Sequence, residues 1–160
     1  MKKIVSFWSI FPYPALLEIA KETGYNSVIL DMEHGHYNWS NLHTSILLGQ
    51  SLGLQVLVRP ASKSEADILR CLEAGANGLM VPHVETAQEI KAIEDAVFYA
   101  PLGKRGSSGF TRSTIYGKKN FTDHTQEVND SIFLGILIES KLGIENLGKI
   151  IESGNVDCVY

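Results

Sequence analysis

Six short runs of β-branched and aliphatic residues recur along the chain, beginning near residues 4, 27, 55, 78, 132 and 156. A helical pattern follows each of the first five. This alternation constrains the fold more than any other feature. Successive parallel strands need a crossover of a dozen or more residues, usually a helix, and that crossover is right-handed. The runs themselves, such as Val28-Ile29-Leu30 and Val56-Leu57-Val58, are continuous rather than alternating. Continuous apolar strands belong to a sheet covered on both faces.

The spacing predicts strands over 4–10, 27–30, 55–58, 78–81, 132–138 and 156–160. It predicts helices over 15–23, 39–52, 64–74, 86–99 and 144–153. Gly24, Gly53 and Gly75 read as helix stops. Thr86 with Glu89 three residues later reads as a capping box. Residues 101–129 form the one long irregular region, glycine-rich as far as Gly109 and polar beyond. A long loop in a compact fold is either functional or disordered. We read the stretch 103–109 as an active-site loop, in preference to a phosphate-cradling nest.

Two α/β architectures fit, a doubly wound open sheet and a (β/α)8 barrel. No GxGxxG follows the first strand, which weakens the dinucleotide-binding version. A complete barrel has eight strands and ~250 residues; six strands are counted here.

Length and charge narrow the function. A chain of 160 residues predicts a single domain. Fourteen basic against 18 acidic residues give a net charge of −4, which argues against binding nucleic acid or an anionic membrane surface. No apolar run approaches the ~20 residues that span a bilayer, and the N-terminal apolar stretch, broken by Ser6, Ser9, Pro12 and Pro14, reads as a strand rather than a secretory signal. Cys71 and Cys158 each stand alone, so reduced thiols in a cytoplasmic protein are expected.

In parallel βα folds the active site lies at the C-terminal ends of the strands. Strand two ends in Asp31-Met32-Glu33-His34-Gly35-His36, strand three in Arg59-Pro60, strand four in Pro82-His83 and strand five in Glu139. Acids, an arginine and a histidine are thus expected on one rim. His36 and His83 read as structural, and His43 and His124 as solvent-facing.

Residues 24–35, ending in Asp31-Met32-Glu33-His34-Gly35, resemble the signature of the HpcH/HpaI aldolases, the class II metal-dependent pyruvate aldolases of the phosphoenolpyruvate/pyruvate barrel superfamily. Further likenesses follow in order: Trp8, Val58-Arg59-Pro60, residues 72–84 through Pro82-His83, residues 101–106, Ile138-Glu139 with residues 143–147, and residues 154–159.

The resemblance implies a TIM-type barrel, of which about six βα units are present in residues 1–160. It also implies an aldolase that cleaves or forms 4-hydroxy-2-oxo acids through a metal-stabilised pyruvate enolate. By the same resemblance His34 is the general base, Asp31 orients its imidazole, and Arg59 faces the keto and enolate oxygen. Trp8 and Pro82 border the substrate, Glu33 acts behind the ligands, and Glu139 binds the metal, Mg²⁺ or Mn²⁺ with Co²⁺ as an alternative. A second carboxylate ligand is expected beyond Tyr160, so the chain is expected to be part of a longer polypeptide. The implied partners are pyruvate and an aldehyde, and the implied assembly is a homo-oligomer, a hexamer built as a trimer of dimers. Leu137 stands where glutamine is expected. A thioester-cleaving citrate or malyl lyase-like enzyme, and a non-catalytic remnant or assembly subunit, are the alternative readings.

Overall fold

The computed structural model describes residues 3–160. Six strands, β1 (Ser6–Ser9), β2 (Ser27–Asp31), β3 (Gln55–Arg59), β4 (Gly78–Val81), β5 (Phe133–Ile136) and β6 (Cys158–Val159), form one sheet in chain order. Every neighbouring pair is parallel. The sheet curls into part of a barrel: Trp8 on the first strand and Tyr160 after the last bring their rings to a centroid distance of 5.7 Å.

Six helices connect the strands, two of them between β4 and β5: α1 (Pro14–Glu22), α2 (Trp39–Ser51), α3 (Glu65–Glu73), α4 (Ala87–Val97), α5 (Phe121–Ser131) and α6 (Lys141–Glu152). Their starts are fixed locally. Asn38 caps α2 with Asn41, Ser64 accepts from Asp67 N–H, and Thr86 and Glu89 form the expected capping box. The glycines predicted as stops after the first three helices all stand at positive φ, where a side chain would be strained. One face of each of five helices meets the sheet. Leu17, Leu42, Ile46, Ile68, Leu72, Ile90, Ile93 and Ile150 are essentially fully buried with Val28, Leu30, Val56, Val58, Leu79, Val81, Leu134 and Ile136. Each such side chain contributes about 1.5–3 kcal/mol on leaving water.

The opposite parity of the strands faces the barrel interior. Ile29, Leu57, Met80 and Leu137 form a second, smaller cluster with Trp8 and Phe133. Met80 fills the space over Gly135, which a Cβ there would occupy. Side chains alternate along a strand, so the residues two further on from Ile29, Leu57 and Leu137 emerge at the interior's rim. These are Asp31, Arg59 and Glu139.

Three expectations need correction. Residues 121–131, read as irregular, form α5. Its signal was Asn120, whose side chain accepts from Thr122 and Asp123 N–H. Only a thin stripe of Phe121, His124 and Val128 follows, too sparse to stand out as helical. Asn129 then docks the helix, accepting from Tyr99 N–H and donating to Tyr99 C=O. The loop over 103–109 does not reach the Arg59 rim of this chain. It follows α4, which runs back to the other end of the sheet, and Lys104 and Arg105 N–H bond the carbonyls of Asp95 and Phe98. His124, expected in solvent, is 2% exposed. No helix among the described residues is long and apolar enough to cross a membrane.

Candidate active site

The parallel register sets Asp31 directly opposite Arg59 at the ends of β2 and β3. Both are buried. Arg59 Nε donates to Asp31 Oδ1 at 2.9 Å and Nη2 donates to Oδ2, a bidentate pair. Trp8 Nε1 donates to Oδ2 at 3.1 Å, and its ring lies 5.1 Å from the guanidinium carbon. The N–H groups of Glu33 and His34 each donate to Asp31 Oδ1 at 3.0 Å. Burial pushes the Asp31 carboxyl up. The bonds from Arg59, the His34 N–H and Trp8, with the charge of Arg59, outweigh that and hold it below its ordinary value. Burial likewise works against charge on Arg59, and the Asp31 bond and charge, with Glu33 and Glu139, outweigh it.

The turn after Asp31 is tight. A Cβ at Gly35 would collide with the Asp31 carbonyl, so glycine is what lets the chain fold back over the acid. His36 then stacks on Phe11 at 5.2 Å.

Arg59 Nη1 lies 3.2 Å from Glu33 Oε2, an ion-pair contact without hydrogen-bond alignment. The other oxygen, Oε1, takes His83 Nε2 at 2.6 Å. His83 Nδ1 lies 3.4 Å from Glu139 Oε2, which also accepts the His83 backbone N–H at 3.1 Å. His83 therefore stands between the two glutamates. It is a non-glycine residue at φ 56°, a conformation costing an L-residue roughly 1–2 kcal/mol. Lys63 holds its carbonyl at 2.8 Å and is itself paired with Glu89.

The expected rim thus assembles, with different internal partners. Asp31 does not touch the imidazole of His34: its oxygens are occupied by Arg59, Trp8 and the backbone of the turn. His34 is two-thirds exposed, and its ring is nearest Glu33, at 4.0 Å. Pro82 is buried at the end of β4. Leu137, at the expected glutamine position, is buried among Ile29, Leu57 and Met80. His83 and Lys63 are the site residues that sequence reasoning passed over. For His83 a signal existed, since it follows β4 at the same end as the others.

Glu139 has the hard oxygen donors that Mg²⁺ or Mn²⁺ prefers. Among the described residues, however, no three His, Cys, Asp or Glu side chains converge as a metal-binding set.

A parallel, helix-covered sheet curling into a barrel, with an arginine, carboxylates and histidines at the strand C-termini, defines a TIM-type α/β scaffold. Residues 5–160 match the sequence profile described as HpcH/HpaI aldolase/citrate lyase, and the chain belongs to that family. It is 29% identical over 157 residues to a 2-keto-3-deoxy-L-rhamnonate aldolase of Salmonella paratyphi B, covering 98% of this chain and 58% of that protein. The crystal structure of an HpcH/HpaI aldolase from Desulfitobacterium hafniense superposes with a TM-score of 0.89 at 30% identity, over 99% of this chain and 61% of that one. A family protein from Burkholderia cenocepacia gives 0.88 at 24% identity, over 96% and 62%; at that identity the likeness is one of fold. The chain thus spans well under two thirds of the length of each of these relatives.

Proposed function

We propose that this chain carries the Arg59 rim of a carbon–carbon lyase that cleaves or forms 4-hydroxy-2-oxo acids. The observation that carries the reading is the guanidinium of Arg59, buried, charged and fixed by Asp31 at the mouth of a barrel interior. Three of its five N–H groups face Asp31 and Glu33, which leaves donors for a substrate oxygen.

In the cleavage direction a base takes the proton of the C4 hydroxyl and the C3–C4 bond breaks. An aldehyde leaves, and the bonding pair moves onto the C2 oxygen as an enolate. Returning the proton to C3 gives pyruvate, with no net oxidation. Arg59 meets the enolate oxygen, where a fixed cation is worth most as charge develops. His34, exposed beside Glu33, is the residue that takes and returns the proton. Trp8 and Pro82 border the substrate. A bound divalent cation, Mg²⁺, Mn²⁺ or Co²⁺, would take Glu139 as one ligand and polarise the keto oxygen.

The printed name of the Salmonella relative, an aldolase of a 2-keto-3-deoxy sugar acid, supports this substrate class. We place residues 1–160 as the N-terminal part of a (β/α)8 barrel, in a cytoplasmic homo-oligomer. The open strand order and the 58% span of the relative support the barrel assignment.

The test is pyruvate release from 4-hydroxy-2-oxo acids by the full-length protein with Mn²⁺, read by coupling to lactate dehydrogenase. Saturable release is expected. Turnover of acyl-CoA thioesters in place of these acids would replace the aldolase reading by the lyase alternative, and turnover of neither would refute both.

A further inference from the structure

A cavity of about 650 Å³ lies at the other end of the sheet from Arg59. Its floor is the segments that lead into three strands, Gly53 to Gln55 at the start of β3, Gly75 to Asn77 before β4, and Ser131 and Ile132 before β5. Its wall is the connection between α4 and β5, including α5.

This cavity gathers cations. Arg105, Arg112 and Lys119 line it, with His124, against one carboxylate, Glu127. That is an excess of two positive charges in a chain whose net charge is −4. The donors are also under-used. Arg105 is 6% exposed, yet its Nε and Nη2 have no hydrogen-bond partner. Its plane is held by Tyr99, whose ring lies 4.6 Å from the guanidinium carbon. His124, 2% exposed between the rings of Tyr99 and Phe121, has neither ring nitrogen bonded. Arg112 is fixed by Nη2 to Gln50 Oε1 at 2.5 Å and stacks its stem over Gly75, and its buried Nε is also unpartnered. Lys119 pairs with Glu127 at 2.5 Å at the exposed side.

Buried donors are almost always satisfied, and each one left open carries a desolvation cost. Here three guanidinium nitrogens and both imidazole nitrogens, on three residues that line one cavity, are buried without a partner. Neutral water fills such a space poorly as a charge partner, because it leaves the buried guanidinium of Arg105 without a paired anion. Planar guanidinium forks match a tetrahedral oxyanion. We propose that this cavity is an oxyanion site, separate from the Arg59 rim, that takes a phosphate group with Arg105 and Arg112 as its charged donors and His124 as a neutral one. The phosphate group is either free inorganic phosphate or the phosphoryl group of a small metabolite; the volume leaves room for the latter.

Isothermal titration of the full-length protein with inorganic phosphate and, separately, with glycerol 3-phosphate tests this, at constant ionic strength with chloride as the control anion. One saturable site per chain is expected. Tighter binding of glycerol 3-phosphate identifies a phosphorylated metabolite as the ligand class, and tighter binding of phosphate identifies the free ion. Arg112→Gln, a partly exposed position, is expected to weaken binding by about tenfold or more, and Arg105→Gln to abolish it. Circular dichroism checks the fold. Should Arg105→Gln not fold, Arg112→Gln and Lys119→Gln carry the test. Arg59→Lys is expected to leave binding unchanged. Binding no stronger than that of chloride, or binding lost in Arg59→Lys but kept in Arg112→Gln, would overturn the proposal.

Discussion

Arg59 grips Asp31 with two of its nitrogens, one on each carboxylate oxygen, across the register of two neighbouring strands. A lysine cannot make that fork. Arg59→Lys is expected to lower kcat/KM for pyruvate release by about 10²-fold or more, the scale for losing a fixed donor to a developing oxyanion. It also leaves a buried carboxylate short of partners, at a cost of about 1–3 kcal/mol in chemical denaturation. An unchanged kcat/KM would remove Arg59 from the reaction.

His34 is two-thirds exposed, so its side chain can be removed with little effect on packing. His34→Ala is expected to keep the wild-type denaturation midpoint and to lose roughly 10²–10⁴-fold in turnover, the range for a general base. Near-normal turnover would assign proton transfer elsewhere.

His83 offers a separation of backbone from side chain. At φ 56° glycine is comfortable and alanine is not. His83→Gly is expected to be more stable than His83→Ala by about 1 kcal/mol. Both lose the imidazole between Glu33 and Glu139, so both should alter activity to a similar extent. Equal stability of the two variants would mean that the backbone relaxes out of the left-handed region.

Asp31 ties acid stability to the rim. Its carboxyl is held below the ordinary value of 3.8. The unfolded chain therefore takes up the proton first as pH falls. The stabilisation is fully present above about pH 4 and is lost as pH drops from there through the lower folded value. Asp31→Asn should be less stable than wild type at neutral pH and should show a shallower acid limb. A parallel offset at every pH would contradict the assigned shift.

His124 acts in a higher window. Burial first, then the charges of Lys119 and Arg105, hold its imidazole below 6.5, with Glu127 opposing. The unfolded state binds a proton that the folded state refuses, so stability falls as pH drops below about 6.5. In a buffer free of phosphate and sulfate, His124→Phe should lack that part of the decline between pH 7 and 5. An identical slope in the variant would show that His124 titrates normally.

The sequence by itself determined the βα order, the helix cap at Thr86, the glycine stops and the set of residues at the strand ends. These are short-range properties: a cap reaches three residues, a turn reaches four, and side chains alternate along any strand. The tertiary structure decided which atoms meet. Asp31 went to Arg59 and the turn backbone instead of to the imidazole of His34, because parallel register placed the guanidinium directly opposite. His83 came to lie between glutamates 50 and 56 residues away in the chain, which no local pattern encodes. His124 was buried, and the cavity beside it formed, because α5 docks through Asn129 onto Tyr99. That contact depends on α4 carrying the chain back to the far end of the sheet, a consequence of the right-handed crossover rather than of any residue near His124.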